Sequence, residues 1–559
     1  MASLNFKITG AAGEGIKSAG LILAKTAFRS NFSVHGYTEY PSLIRGGHNT
    51  FQVAYSDSDQ TTPVIKLDLL VALTPEGLKV HQAETDDRTI VLTDQSKEKP
   101  FLHIPLLKLA KSAGGSVIHK NIVSLGASCF FLGLSLDTLL LSIKETFQAK
   151  GQNVVSQNQQ AATLGFKYAQ DNFIDKKLNS LTTPKTKTNQ IFITGNEALA
   201  LGAIAGGMKF YSAYPMTPAT SILHYLALHQ KEFKFVVRHA EDEIGVINMA
   251  IGASFAGARS MVATSGGGFS LMTEALGLSG VTETPLVVVL VMRPGPASGM
   301  PTWTGQGDLL FAINASQDEF PRIILTPGDP AEAFASSHLA LNLSEKYQLP
   351  VVIISDKYLA ESYFSTSKFE TQFKNQRYGL TTPKASDEPF ARYADSKSGI
   401  SLRPLPGQPG GVHLANSYEH DELGYATETS TERIKQVDKR ARKMLQVIKD
   451  PTLPQPILYG PESASTTLIS WGSNKGVILE ALTKLPDTNF VHLPVCWPFP
   501  TTGFNHLTQN SKKLVSVECN ATGQLAKLIR QETGVKINQQ ILKYDGRPFF
   551  PSEIVAKLT

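Results

Sequence analysis

The sequence predicts a multidomain α/β protein with several layered units and mostly parallel sheets. Three observations carry that reading. With 559 residues the chain is long enough for about three or four domains. Short β-branched runs, of which Leu286–Met292 is the longest, alternate with stretches of helical period. Many of these runs end in glycine or proline, the punctuation of strand-to-helix connections.

Taken in order, residues 1–175 form the first unit. A strand at 4–8 leads into Gly10-Ala11-Ala12-Gly13-Glu14-Gly15 and a helix, and further strands are expected at 67–73 and 89–93. Residues 176–190 are polar, charged and proline-containing without apolar period, which is the composition of a linker. A second α/β unit spans 191–365, with strands at 210–214, 236–237, 260–263, 286–292 and 351–354. Between 366 and 430 proline, glycine and polar residues rise, and so long a segment is expected to wrap over other domains or a partner. A charged helix at 431–450 completes a connecting region, 366–455, before a last small unit, 456–559, with strands at 467–471 and 513–518.

Composition narrows the function. Hydrophobic residues make up 42% and charged residues 18%, which suits a globular protein. Lys and Arg exceed Asp and Glu by only 53 to 48, without a basic stripe interleaved with aromatics, so no nucleic-acid partner is expected. Residues 1–7 lack a signal-peptide pattern, and no apolar run approaches the roughly 20 residues of a membrane span, so a cytoplasmic location is expected. Cys129, Cys496 and Cys519 are too scattered for a zinc or cluster motif, so no metal ligand set is expected in this chain.

Five motifs carry chemistry. Gly10, Gly13 and Gly15 open a helix, which suits either a phosphate-binding turn or a tight strand–helix turn. Glu39-Tyr40-Pro41-Ser42-Leu43-Ile44-Arg45-Gly46-Gly47-His48-Asn49 gathers groups suited to anions, or to a solvated basic loop. Tyr214-Pro215-Met216-Thr217-Pro218 fixes a hydroxyl at a strand end, where Thr217 either meets a ligand or caps the next helix. Glu241-Asp242-Glu243 opens a helix rich in small residues that allow close helix packing, and Ser265-Gly266-Gly267-Gly268-Phe269 follows a strand and leaves room for a flat ligand. Arg293 stands directly after the strand Leu286–Met292, ahead of Pro294-Gly295-Pro296, and suits carboxylate capture.

In this order the motifs resemble the 2-oxoacid:ferredoxin oxidoreductase family, in the branch with a gamma domain fused ahead of the alpha subunit. Residues 1–175 resemble the gamma domain and 191–365 the pyrimidine-type thiamine diphosphate domain, marked by Gly195-Asn196-Glu197-Ala198 as well. Ser401-Leu402-Arg403 through Glu419-His420-Asp421-Glu422 resembles the connecting region. Residues 456–559, with Glu518-Cys519-Asn520-Ala521-Thr522-Gly523-Gln524-Leu525, resemble a transketolase-C-terminal-like domain. Three positions depart from the pattern: Met216 stands where isoleucine is usual, and Leu402 and Gly267 where proline is.

The resemblance implies thiamine diphosphate shared with a beta subunit that carries Mg2+ and at least one [4Fe–4S] cluster, with coenzyme A as a substrate and ferredoxin as electron partner in an α2β2 or (αβ)2 assembly. It implies that Glu243 hydrogen-bonds the pyrimidine N1′, with Ser265, Gly266 and Phe269 beside the cofactor. Thr217 and Arg293 would hold the 2-oxoacid, and Gly10, Gly13 and Gly15 would contact coenzyme A. Arg45 would either meet a second carboxylate, favouring 2-oxoglutarate over pyruvate, or only secure its loop. Two other readings stay open: a non-oxidative thiamine-dependent decarboxylase subunit, and a non-catalytic scaffold.

Overall fold

A computed structural model describes residues 3–559 except 44–46, 97–99, 179–180, 183–188, 371–373 and 386. The strands of the first part are β1 Ser3–Ala11, β2 Ser33–Glu39, β3 His48–Ser56, β4 Leu69–Ala72, β5 Ile90–Thr93, β6 Leu102–His103 and β7 Gln190–Thr194. Then come β8 Phe210–Ala213, β9 Val236–His239, β10 Ser260–Thr264, β11 Leu286–Met292, β12 Ile323–Leu325, β13 Pro350–Asp356 and β14 Tyr363–Ser367. The last are β15 Ile457–Tyr459, β16 Thr466–Trp471, β17 Thr488–Leu493, β18 Val495–Trp497, β19 Lys513–Glu518 and β20 Gln539–Leu542. They form three sheets, in keeping with the α/β class.

The chain divides into two compact units, Met1–Thr194 with Glu361–Lys368, and Gly195–Ala360 with Phe369–Thr559. In the first, one sheet runs β6-β5-β4-β1-β3-β2-β14-β7. It is parallel on the β4 side of β1 and antiparallel on the β3 side, so the mostly parallel sheet expected for residues 1–175 is corrected to a mixed one. For β2 and β3 the cause is local: only residues 40–47 separate them in sequence, too few for the crossover of a dozen or more that a parallel pair needs. Pairing of β14 with β2 and β7 draws 190–194 and 361–368 into this unit, so its borders differ from the expected 175 and 365. The helix Ile16–Arg29 lays Ile22 and Leu23 on Phe6, Ile8 and Phe51, all fully buried.

In the second unit a seven-stranded sheet runs β18-β12-β13-β11-β10-β8-β9, parallel throughout except for β18. Every residue of β11 is buried, the mark of a central strand covered on both faces. The five-stranded sheet β15-β17-β16-β19-β20 belongs to the same unit, and Trp471 and Leu525 share an apolar core with Leu290 and Phe269.

Ion pairs fasten the irregular segment after Phe369 to this unit's core. Glu345, buried at 1% exposure, receives Arg259 at 3.0 Å, Arg377 at 2.7 Å and Arg403 at 2.9 Å. The helix Ser430–Ile448 is anchored by Lys439 and Lys443, each 2.5 Å from a carboxylate oxygen of the fully buried Glu283. No helix among the described residues is long and apolar enough to cross a membrane.

Candidate active site

Neighbouring parallel strands end at one edge, and that edge gathers the expected site residues. In the order β11, β10, β8, β9, their C-terminal ends deliver Arg293, Ser265, the Tyr214–Pro218 turn and the Glu241-Asp242-Glu243 acids. The turn after β8 is tied down by Asn196, whose Nδ2 donates to the Pro218 carbonyl at 2.8 Å and to Ser221 Oγ at 2.7 Å. Arg293 Nη1 donates to the Thr217 carbonyl at 2.6 Å. Burial lowers the Arg293 guanidinium below its usual range, and among the described residues no carboxylate pairs with it. Thr217 is not the cap of the following helix: that position is Ala219, with no side-chain cap bond.

The three acids divide their work. Asp242 is the cap of the helix Glu243–Phe255, its Oδ1 accepting from the Ile244 and Gly245 amides at 2.8 and 3.0 Å. Glu241 is exposed, whereas Glu243 is only 4% exposed and its Oε1 has no hydrogen-bond partner. Since Asp242 already satisfies the helix end, capping does not explain why a carboxylate is buried one residue later. The close packing expected from this helix's small residues is not found at Gly252, which has nothing within 4 Å of an added Cβ.

The glycine turn explains its own composition. A Cβ on Gly268 would collide with Thr264 Oγ1 and stand 2.8 Å from Glu243 Oε1, while one on Gly266 would stand 2.6 Å from Asp308 Oδ2. Gly267 faces open space, its nearest neighbour being the Ala297 carbonyl at 3.9 Å. Ser265 is fully buried and its hydroxyl has no partner, although it occupies the cap position of the helix Gly266–Val281. A buried carboxylate oxygen and a buried hydroxyl, both unpartnered beside a glycine-lined opening, fit a flat ligand that offers hydrogen-bonding groups at its edge.

Asp308 was not singled out from sequence. Its only signal is an acid directly after Gly305-Gln306-Gly307, in the loop that follows Arg293. Burial pushes its carboxyl up to about 6, and its Oδ2 has no partner. Phe269 is fully buried, with its ring edge-on to Phe311 at 5.3 Å, and so joins the helix Gly266–Val281 to the helix Leu309–Asn314 that begins beside Asp308.

In the other unit, Gly13 and Gly15 take positive φ of 96° and 74° before the helix Ile16–Arg29, a conformation that favours glycine. Both line a cavity of about 480 Å³ with Lys17, Thr38, Tyr40 and Asn49. Gly10 lies under the turn, where a Cβ would meet Glu14 Oε2 at 2.5 Å. His48 turns to His81, their Nε2 atoms 2.7 Å apart. Arg45 lies outside the described residues. Among the described residues no group of three or more His, Cys, Asp or Glu is arranged to hold a metal, and all three cysteines are buried.

Comparison with known proteins gives a concordant picture. The family described as "Pyruvate flavodoxin/ferredoxin oxidoreductase, thiamine diP-bdg" matches residues 201–439, and "Pyruvate ferredoxin/flavodoxin oxidoreductase" matches 5–168. The 2-oxoacid:ferredoxin oxidoreductase subunit alpha of Saccharolobus solfataricus is 32% identical, over 99% of this chain and 96% of its own length. The 2-oxoglutarate oxidoreductase subunit KorA of Mycobacterium tuberculosis is 29% identical over 98% and 90%. The solved 2-oxoglutarate:ferredoxin oxidoreductase from Magnetococcus marinus, with 2-oxoglutarate, coenzyme A and succinyl-CoA bound, is similar with a TM-score of 0.91 and 31% identity, over 100% of this chain and 99% of that one.

Proposed function

The chain belongs to the 2-oxoacid:ferredoxin oxidoreductase family as an alpha subunit, and from that premise we propose that it holds the pyrimidine half of a thiamine diphosphate site. With a beta subunit it would carry out oxidative decarboxylation of a 2-oxoacid with coenzyme A, or the reverse reaction. The observation that carries this reading is the buried, unpartnered carboxylate oxygen of Glu243 at the glycine turn. When bound, thiamine diphosphate supplies the carbon nucleophile for the 2-oxo group.

The chain's own residues bind and orient. Glu243 would hydrogen-bond the pyrimidine N1′, and Ser265 and Gly266 would line the ring. Phe269 supports the turn from the core. Arg293, held by Thr217, presents its remaining N–H groups to the substrate carboxylate, a geometry that guanidinium suits better than ammonium. Thr217 would meet the 2-oxo group. The Gly13–Gly15 cavity would take coenzyme A, with Gly10 supporting the turn. The proposed substrate is 2-oxoglutarate, because the Magnetococcus marinus enzyme, similar over the full length of this chain, holds it.

Mg2+, the [4Fe–4S] cluster and electron delivery to ferredoxin are assigned to the beta subunit, in an α2β2 or (αβ)2 assembly. Co-purification with the beta subunit should give 2-oxoglutarate- and coenzyme A-dependent ferredoxin reduction, whereas this chain alone should be colourless and inactive. Iron–sulfur absorption from this chain alone would contradict that division.

A further inference from the structure

The first turn of the helix Gly266–Val281 has an acid on each of two flanks. Successive helical residues project about 100° apart, so Gly266 and Gly268 face roughly opposite ways and Gly267 faces between them. Asp308 occupies the Gly266 flank and Glu243 the Gly268 flank, while the Gly267 face is open. A flat ligand lying on Gly267 therefore has one carboxyl at each side.

The chain around Asp308 is held firmly while Asp308 itself is not. Gln524 Nε2 donates to the Gly307 carbonyl at 2.6 Å, and its Oε1 accepts from the Leu310 amide at 3.0 Å. Gln306 accepts from Asn474 Nδ2 at 2.9 Å and from the Cys519 amide at 3.1 Å, and its own amide donates to the Cys519 carbonyl at 2.7 Å. Asp308 stands at the start of the helix Leu309–Asn314 and its side chain makes no cap bond, and among the described residues its Oδ2 has no hydrogen-bond partner. A rigid loop that keeps a mostly buried carboxyl unsatisfied needs an explanation, because such a group costs stability until a donor meets it.

We propose that Asp308 is a second cofactor-facing carboxyl, which accepts a hydrogen bond from the exocyclic amino group of the bound pyrimidine across the glycine turn from Glu243. This rests on the assignment of the turn as a thiamine diphosphate site. An aminopyrimidine suits the two flanks, since its N1′ and its 4′-amino group lie at opposite ends of the ring. Burial raises the Asp308 carboxyl to about 6, and an amino donor would offset that penalty. Gln524 and Gln306 are then positioning residues that fix where the carboxyl stands.

The test is calorimetric binding of thiamine diphosphate, and of its 4′-deamino analogue, to the complete complex freed of cofactor. D308A should weaken thiamine diphosphate by about ten- to hundred-fold, the range for a hydrogen bond to a charged group. The same substitution should leave affinity for the deamino analogue within about two-fold. D308N, isosteric and uncharged, should follow the same pattern with a smaller loss and serves if D308A does not fold. An equal loss for both ligands, or no loss for either, overturns the role of Asp308. The site itself is tested separately by E243Q: if the unaltered complex binds no thiamine diphosphate, the underlying assignment fails, whereas loss in E243Q but not in D308A or D308N removes only this inference.

Discussion

Arg293 reaches from the end of β11 to the end of β8 and donates Nη1–H to the carbonyl of Thr217 at 2.6 Å. One bond to the backbone fixes the guanidinium plane and leaves its other donors to face a ligand. Arg293→Lys keeps the charge but loses the planar fork. The Michaelis constant for the 2-oxoacid should rise about ten-fold or more, with that for coenzyme A nearly unchanged. Steady-state kinetics with each substrate varied in turn checks this, and equal rises would make Arg293 structural.

Neighbouring glycines of one turn should respond differently. Gly267→Ala meets nothing closer than 3.9 Å, so the melting temperature should hold while thiamine diphosphate affinity falls. Gly268→Ala collides with Thr264 and Glu243, an overpacking that typically costs about 1–3 kcal/mol, so melting temperature and affinity should both fall. Thermal denaturation beside calorimetry separates the two.

Among the described residues Glu283 is the sole carboxylate paired with Lys439 and Lys443, and all three side chains are fully or almost fully buried. Glu283→Ala leaves buried cations unpaired, a change that costs about 3–5 kcal/mol in comparable sites. It should lower the unfolding midpoint and loosen the helix Ser430–Ile448, seen as faster amide exchange in 430–448.

Lys443 gives that network a pH signature. Burial, reinforced by Lys439 and Arg392, outweighs the attraction of Glu283 and lowers its ammonium from 10.5 to about 7. Between pH 7 and about 10.4 the folded chain has shed a proton that the unfolded chain keeps, so Lys443 makes stability rise with pH across that window. The stability of wild type relative to Lys443→Met should increase by up to about 1.4 kcal/mol per pH unit there, measured by denaturant unfolding. A pH-independent difference would contradict the lowered value.

Much of this was legible in the sequence where local pattern and burial agree. The run Leu286–Met292 coincides with β11, because a fully buried strand leaves an unbroken apolar signature, and 513–518 coincides with β19, where Leu514, Val515 and Val517 carry the pattern. Arg293 and Ser265 stand out in the sequence because each directly follows a buried strand. The antiparallel pairing of β2 with β3 was hidden because residues 40–47 read as a binding motif rather than as a connection too short for a parallel crossover. Asp308 was hidden because its environment is made by Gln524 and Cys519, more than two hundred positions away, and sequence proximity carries no sign of that bracing.

Glu243 is tested most directly by turnover of the complete complex carrying Glu243→Ala, with folding and bound thiamine diphosphate followed in parallel. A lost hydrogen bond to a charged group is about 1.5–3 kcal/mol, and the loss in kcat should exceed the roughly ten- to hundred-fold this represents, because proton transfer fails as well. The melting temperature should stay close to wild type, since Asp242 still caps the helix. Near-normal 2-oxoglutarate turnover by the folded Glu243→Ala complex would contradict the assignment of this carboxylate to the cofactor.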